Sequence, residues 1–239
     1  MLGGRVRLRQ PAEGLRAGHD AVLLAASVPA RPGETVLELG CGSGAAFLCL
    51  MARIPRLTVI AVEKQPALAD LARENAALNG VAAQVTVLAG DIADPALRRS
   101  LPRAAHGFAN PPYWPGGTRP PAETRGAATH ETDAALADWA ACLSAALGHG
   151  GSATFVLPAA RFADGVVALQ AAGFGSLGIL PLWPRAGVAA KRVLLAARRG
   201  GRGPARVLPG LVLHGAGSGA EAVLRDAAPL LLTPGQGLG

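Results

Sequence analysis

Apolar and polar positions switch between two periods along the middle of the chain. Thr35–Leu39 is a short β-branched and apolar run behind Pro32 and Gly33, and it predicts a strand. It ends in Gly40, Gly42 and Gly44, after which Ala45–Arg53 reads as a helix stopped by Pro55. Leu57–Val62 predicts a second buried strand. Pro66–Asn79 predicts a helix, with proline in its first turn and Gly80 past its end. Val85–Leu88 and the weaker run Ala104–Ala109 predict the third and fourth strands. Glu131–Leu147 reads as a helix ended by Gly148. Ser152–Leu157 predicts a fifth strand, followed by a helix through Ala172. Ser176–Leu182 and Arg192–Ala197 are strand-like runs with no helix between them. At the start of the chain Arg5, Arg7 and Arg9 alternate with Val6 and Leu8, the pattern of an edge strand.

Strands alternating with helices of this length predict an α/β fold with a parallel sheet and right-handed crossovers. The missing helix before the final run makes that strand antiparallel. The expectation is one doubly wound, seven-stranded, mostly parallel sheet over residues 31–199. Residues 1–30 would form an N-terminal strand and helix, and residues 200–239 a basic linker with a short C-terminal appendage. Residues 111–129 hold five Pro and three Gly with Arg119 and Arg125 and no periodicity, a loop long enough to suggest function.

Composition narrows the class. Hydrophobic residues make up 50% of the 239 and charged residues 16%, so low hydrophobicity gives no argument for disorder. No uninterrupted apolar run reaches about 18 residues, so no membrane span is expected. Residues 1–9 lack the apolar centre of a secretory signal. Cys41, Cys49 and Cys142 show neither metal-ligand spacing nor even pairing; a reducing cytoplasm and no metal are expected. Net charge is +7, with +3 in residues 1–33, −2 in residues 34–180 and +6 in residues 181–239. A polyanion would meet the ends of the chain. A biased Arg-rich composition explains the charge equally well, because only two of the 23 basic residues are Lys.

The glycine cluster lies where the first strand gives way to a helix, at the carboxyl edge where open α/β sheets bind ligands. Gly40-x-Gly42-x-x-Ala45, with Glu63 further on to hold a ribose, also fits a dinucleotide fingerprint. Glu38, two residues before the first glycine, suits an ammonium or sulfonium better than a pyrophosphate. Asp91 follows the third strand, where it can accept a hydrogen bond from an adenine amino group. Asp94 is the better helix cap and leaves Asp91 to the ligand. Asn110-Pro111-Pro112-Tyr113 follows the fourth strand. Its prolines stiffen the backbone and lack N–H groups. Asn110 Oδ1 and the Pro111 carbonyl can together accept both hydrogens of a planar amino group, and Tyr113 can stack on a flat substrate.

With these residues in hand, the chain resembles the class I S-adenosylmethionine-dependent methyltransferases that act on exocyclic or amide nitrogen, a Rossmann-like fold. Arg16–Ala25, His130-Glu131, Trp139 and Leu211-Val212-Leu213-His214 extend the likeness to the bacterial valine-tRNA adenine-37 N6-methyltransferases, over nearly the whole chain. The resemblance implies S-adenosyl-L-methionine as cofactor and tRNA as partner, for an enzyme that is a monomer or weak dimer. It implies a cofactor site of Glu38, Gly40, Cys41, Gly42, Gly44, Glu63, Lys64, Asp91, Ile92 and Asn110, with Gly18 and Asp20 closing over it. It assigns the target amine to Asn110, Pro111, Pro112 and Tyr113. Trp114 stands where the family often has Phe, and Cys41 where it has Thr or Ser.

Rival substrates are the glutamine amide of a release factor, rRNA and DNA amino groups. Rival classes are a nicotinamide-dependent oxidoreductase and a non-catalytic S-adenosylmethionine-binding RNA protein. No histidine is given a catalytic role. His106 and His149 are expected at the surface and His130 at a helix start. Trp183 beside Arg185 reads as packing before stacking. Arg198, Arg199, Arg202 and Arg206 fit phosphate contact and a solvated linker equally.

Overall fold

Proline, glycine and capping residues punctuate the chain much as the pattern predicts. The computed structural model describes residues 1–12, 17–112, 135–215 and 218–232. Helix α1 (His19–Ser27) precedes strand β1 (Thr35–Leu39), and the glycine cluster leads into α2 (Ala45–Arg53). There follow β2 (Thr58–Glu63), α3 (Pro66–Leu78), β3 (Val85–Ala89), α4 (Pro95–Ser100) and β4 (Ala104–Ala109). The second half holds α5 (Leu136–Ala146), β5 (Leu147–Pro158), α6 (Phe162–Ala171), β6 (Phe174–Trp183) and β7 (Arg192–Arg199). Two-residue strands β8 (Arg206–Val207) and β9 (Leu211–Val212) and helix α7 (Ala220–Arg225) come last.

The sheet order is β3-β2-β1-β4-β5-β7-β6-β8, with β9 also on β6. β1 to β5 are mutually parallel, and β7 is antiparallel to both β5 and β6. The antiparallel last strand therefore lies inside the sheet rather than at its edge. The expected count of seven strands rises to nine, because β8 and β9 each add two residues to β6. Two residues are too few for a period-2 pattern, so these strands form only because β6 offers a free edge.

Alternation sends each strand's side chains to two cores. Val36, Val59, Ala61, Phe108, Leu194 and Ala196 pack under α1, α2 and α3. Leu37, Leu39, Val62, Phe155, Leu195 and Ala197 pack under α5 and α6. Parallel strands covered on both faces read as continuous apolar runs, as β1 and β2 do.

The N-terminal segment departs from expectation. Val6 is buried and Arg5, Arg7 and Arg9 are exposed, so the alternation is real, but residues 5–10 join no sheet. The side chains of Asn75 and Asn79 on α3 serve as their partner. Asn79 accepts from Arg7 N at 3.0 Å and donates to Arg7 O at 2.6 Å. Asn75 accepts from Arg9 N at 2.8 Å and donates to Arg9 O at 2.9 Å. Side chains four apart on a helix face lie about 5–6 Å apart, close to the two-residue repeat of an extended strand. Asn75 is fully buried and also donates to Ser43 O at 2.9 Å, which ties this segment to the glycine loop. Asn75→Ala is expected to cost about 2 kcal/mol, because several buried bonds lose one partner together. Urea unfolding measures the loss, and limited proteolysis should show faster cleavage near residue 9.

Candidate active site

Register brings the carboxyl ends of four strands together. Leu39 pairs with Val62 on one side and with Ala109 on the other. Gly40, Glu63 and Asn110 therefore leave the sheet side by side. Glu63 pairs with Ala89, so Asp91 stands just beyond the next strand. The strand order reverses between β1 and β4, which opens a crevice at this point. Asn110 and Asp91 flank it, three strand spacings apart, about 14 Å.

The three glycines divide their work. Gly40 has φ +62°, and a Cβ there would meet the Trp139 ring at 2.5 Å. Gly44 is closed in the same way by the Phe47 ring. Only Gly42, at φ +54°, has nothing within 4 Å of where a Cβ would stand. A side chain there would be strained and would fill the crevice. The missing side chain at Gly40 and Gly44, expected to let the backbone approach a ligand, also admits the Trp139 and Phe47 rings. Trp139, buried on α5, was expected only as part of the family likeness.

Glu63 fastens the loop. It is 6% exposed, with one oxygen accepting from Gly42 N at 2.8 Å and the other from Gln65 N at 2.9 Å. Each oxygen keeps a lone pair for a further donor. Glu38 is 3% exposed and accepts from Phe47 N at 2.9 Å, in the first turn of α2. The N-cap of α2 is Gly44, which supplies no side-chain cap, so the carboxylate of β1 takes that role. Burial pushes the Glu38 carboxyl well above its usual range, the Phe47 N–H opposes this, and the Glu63 charge adds to it. Glu38 was expected beside a ligand cation; its bond to Phe47 makes it first a support of the loop.

Asp91 is less free than expected. It accepts from Ala93 N at 2.9 Å and pairs with Lys64 at 3.1 Å. The Ala93 N–H, and then Lys64, hold its carboxyl below the usual range. Asp94 caps α4 through Ala96 N at 2.8 Å, as expected. Lys64 thus meets the site through Asp91. Ile92 is buried in the α5 core, and its carbonyl accepts from Arg98. Burial raises all three thiols, Cys49 to about 12, Cys142 to about 11 and Cys41 well above its usual value, so they stay protonated at neutral pH.

Asn110 carries the open chemistry. Its Oδ1 is buried and makes no hydrogen bond among the described residues. A buried unpaired acceptor costs about 1–3 kcal/mol, a cost a ligand with an N–H removes. Pro111 beside it is buried and Pro112 exposed. Tyr113, Trp114, His130 and Glu131 lie outside the described residues.

A methyltransferase-domain family profile matches residues 36–105. The tRNA1(Val) (adenine(37)-N6)-methyltransferase of Actinobacillus succinogenes is 31% identical over 182 residues, 76% of this chain and 75% of that protein. The chain belongs to this methyltransferase family. The release factor glutamine methyltransferase of Moorella thermoacetica is 41% identical over 93 residues, 38% of this chain and 32% of that protein. The crystal structure of a predicted O-methyltransferase from Agrobacterium tumefaciens superposes with a TM-score of 0.74 at 26% identity, covering 89% of this chain and 98% of that one.

The protein is an S-adenosylmethionine-dependent methyltransferase. The crevice fits such a cofactor: Gly42 leaves a cradle a Cβ would fill, and the nearly buried Glu63 carboxylate borders it. Gly18 and Asp20 lie further along the same edge, where Asp20 pairs with Arg192 of β7 at 3.0 Å. Among the described residues no group of three or more His, Cys, Asp or Glu could hold a metal ion, and no helix is long and apolar enough to cross a membrane.

The methyltransferase places the minor candidates elsewhere. His106 is not at the surface: it lies between Ser152 Oγ at 2.7 Å and Glu34 at 3.0 Å, joining β4 to β5 and to the chain before β1 at the far edge. Burial lowers its pKa against the pull of Glu34. His149 is exposed. Trp183 donates to Pro209 O at 3.2 Å and packs on Gly210, a structural role. Arg198 and Arg199 bond to the Gly150 and Gly173 carbonyls.

Proposed function

We propose that this methyltransferase modifies the N6 amine of an adenine in tRNA, in the anticodon loop, and does so in the cytoplasm. The observation that carries the reading is the buried, unpartnered Oδ1 of Asn110 at the end of β4. In this reading Asn110 Oδ1 and the Pro111 carbonyl accept both hydrogens of the target amino group. They hold it planar to the base, draw electron density onto nitrogen and aim its lone pair into the crevice. No strong base is required, because the proton leaves nitrogen for solvent after transfer. Tyr113 stacks on the base, which has left the loop's stack to reach the site.

Glu63 holds the ribose hydroxyls of the cofactor, Asp91 with Lys64 borders its adenine, and Gly42 lets its methionine part approach the backbone. Glu38 fixes the α2 end of the cradle, and Gly18 and Asp20 close it. Bound there, S-adenosylmethionine supplies an electrophilic methyl group on a sulfonium sulfur. The chain's part is to orient the amine, exclude water and leave the hydrogen-bonded nitrogen as the group aimed into the cradle.

A second reading is the glutamine amide of a release factor, favoured by the 41% identity to the Moorella protein over 93 residues. That amide also presents a planar NH2. The test is transfer of labelled methyl to bulk tRNA from a strain lacking this gene, followed by nucleoside analysis. Label in N6-methyladenosine is expected. No label in tRNA, with cofactor binding intact, overturns the proposal and directs the same assay to release factors, rRNA and DNA.

A further inference from the structure

A second hollow opens on the same edge of the sheet, beside the proposed cofactor site, with Gly18 among its lining residues. It has a volume of about 650 Å³, within the range that takes a small ligand. Its apolar side is Leu2, Val22 and Leu224, and its polar rim is His19, His214 and Arg225. The C-terminal segment is folded back to make it. Leu213 N donates to Trp183 O at 2.8 Å and His214 N to Pro184 O at 3.0 Å, so His214 sits at the carboxyl end of β6. The Asp20–Arg192 ion pair holds the first turn of α1, with His19, at the start of β7. The two imidazole rings then stand 6.4 Å apart, tilted by 50°.

Three strand spacings separate β4 from β6, about 14 Å, which a few nucleotides of single strand can span. We propose that this hollow is a second nucleotide subsite, taking an unstacked base of the RNA that flanks the methylated adenine. The inference rests on the tRNA reading above and names further contacts for that substrate. The base lies on the apolar floor against the faces of His19 and His214, as single-stranded bases lie on aromatic rings. Its phosphate meets Arg225. That side chain is 71% exposed, and its pair with Glu221 is 3.5 Å long and exposed, worth too little to hold it from a phosphate. The Glu221 carboxylate offers an acceptor to a base amino group. The +6 net charge of residues 181–239 favours an anionic strand over an acidic or neutral peptide.

The experiment is steady-state methylation of tRNA by the full chain and by His214→Ala, Arg225→Ala and Arg225→Lys. The alanine variants are expected to raise KM for tRNA about tenfold, with kcat and KM for S-adenosylmethionine within about twofold. Arg225→Ala should also lower the slope of log KM against log salt by about 0.7, one single-strand phosphate, and Arg225→Lys should restore it. Calorimetric cofactor binding verifies that each variant is folded. An unchanged KM for tRNA in both alanine variants overturns the proposal, as does a rise in KM for the cofactor, which would give the hollow to that ligand. Wild-type transfer to tRNA with unshifted variants removes this subsite alone. Absence of wild-type transfer to tRNA removes the substrate reading and this subsite with it; a release factor that accepts label has the same consequence.

Discussion

Asn110→Ala is expected to lower kcat for methyl transfer about 10²–10³-fold, the loss seen when one preorganised hydrogen-bonding group is removed from a reacting centre. Affinity for S-adenosylmethionine should stay within about twofold, because the Gly42 and Glu63 contacts do not depend on Asn110. Stability should hold or rise slightly: Oδ1 is already buried without a partner, so its removal breaks no bond among the described residues. Asn110→Asp keeps an acceptor and should retain more activity than Ala. Single-turnover kinetics with saturating cofactor measure the effect. Loss of cofactor binding with kcat unchanged would show that Asn110 had been given the wrong role.

Glu63→Ala produces the opposite split. The carboxylate holds Gly42 N at 2.8 Å and Gln65 N at 2.9 Å while only 6% exposed, and in the proposed complex it also takes the ribose hydroxyls. Hydrogen bonds to a charged group are worth about 1.5–3 kcal/mol each. Losing two from the bound state weakens cofactor affinity about 10²-fold or more. Titration calorimetry with S-adenosylmethionine reads this directly. At saturating cofactor, kcat should recover to within about threefold, since Glu63 touches no reacting atom. A kcat that stays low at saturation would mean that Glu63 also acts on the transferred group.

These variants act on residues that stood out in the sequence, but their partners did not. Glu63 was placed by its distance from Gly42 along the chain and by the strand before it. Its bond to Gly42 appears only when β1 and β2 pair in register. Gly40 and Gly42 look alike in the sequence. What separates them is Trp139, which arrives from a helix about a hundred residues later and fills the space above Gly40 alone. Glu38 read as a ligand to a cation because its type and spacing allow that role; the structure gives it the Phe47 N–H that no nearer residue caps. His106 read as a surface residue, since nothing local announces Glu34 or Ser152 as its partners.

The N-terminal segment shows the same division. Its alternation was legible, and Val6 does point inward, but the alternation alone could not name what the segment pairs with. Asn75 and Asn79 provide the ladder, and polar side chains on a helix carry no sign of a distant strand.

The sequence by itself determined the order of the strands and helices from β1 to β7, the antiparallel final strand of that run, the glycine turn and the Asn-Pro-Pro segment behind β4. These follow from periodicity, turn chemistry and chain direction, which act over a few residues. Only the tertiary structure decided which glycine stays open, which carboxylate faces the crevice and that the C-terminal segment folds back to form a second hollow. Each of these depends on side chains far apart in the chain meeting at one sheet edge, and such meetings are set by register and packing rather than by any local pattern.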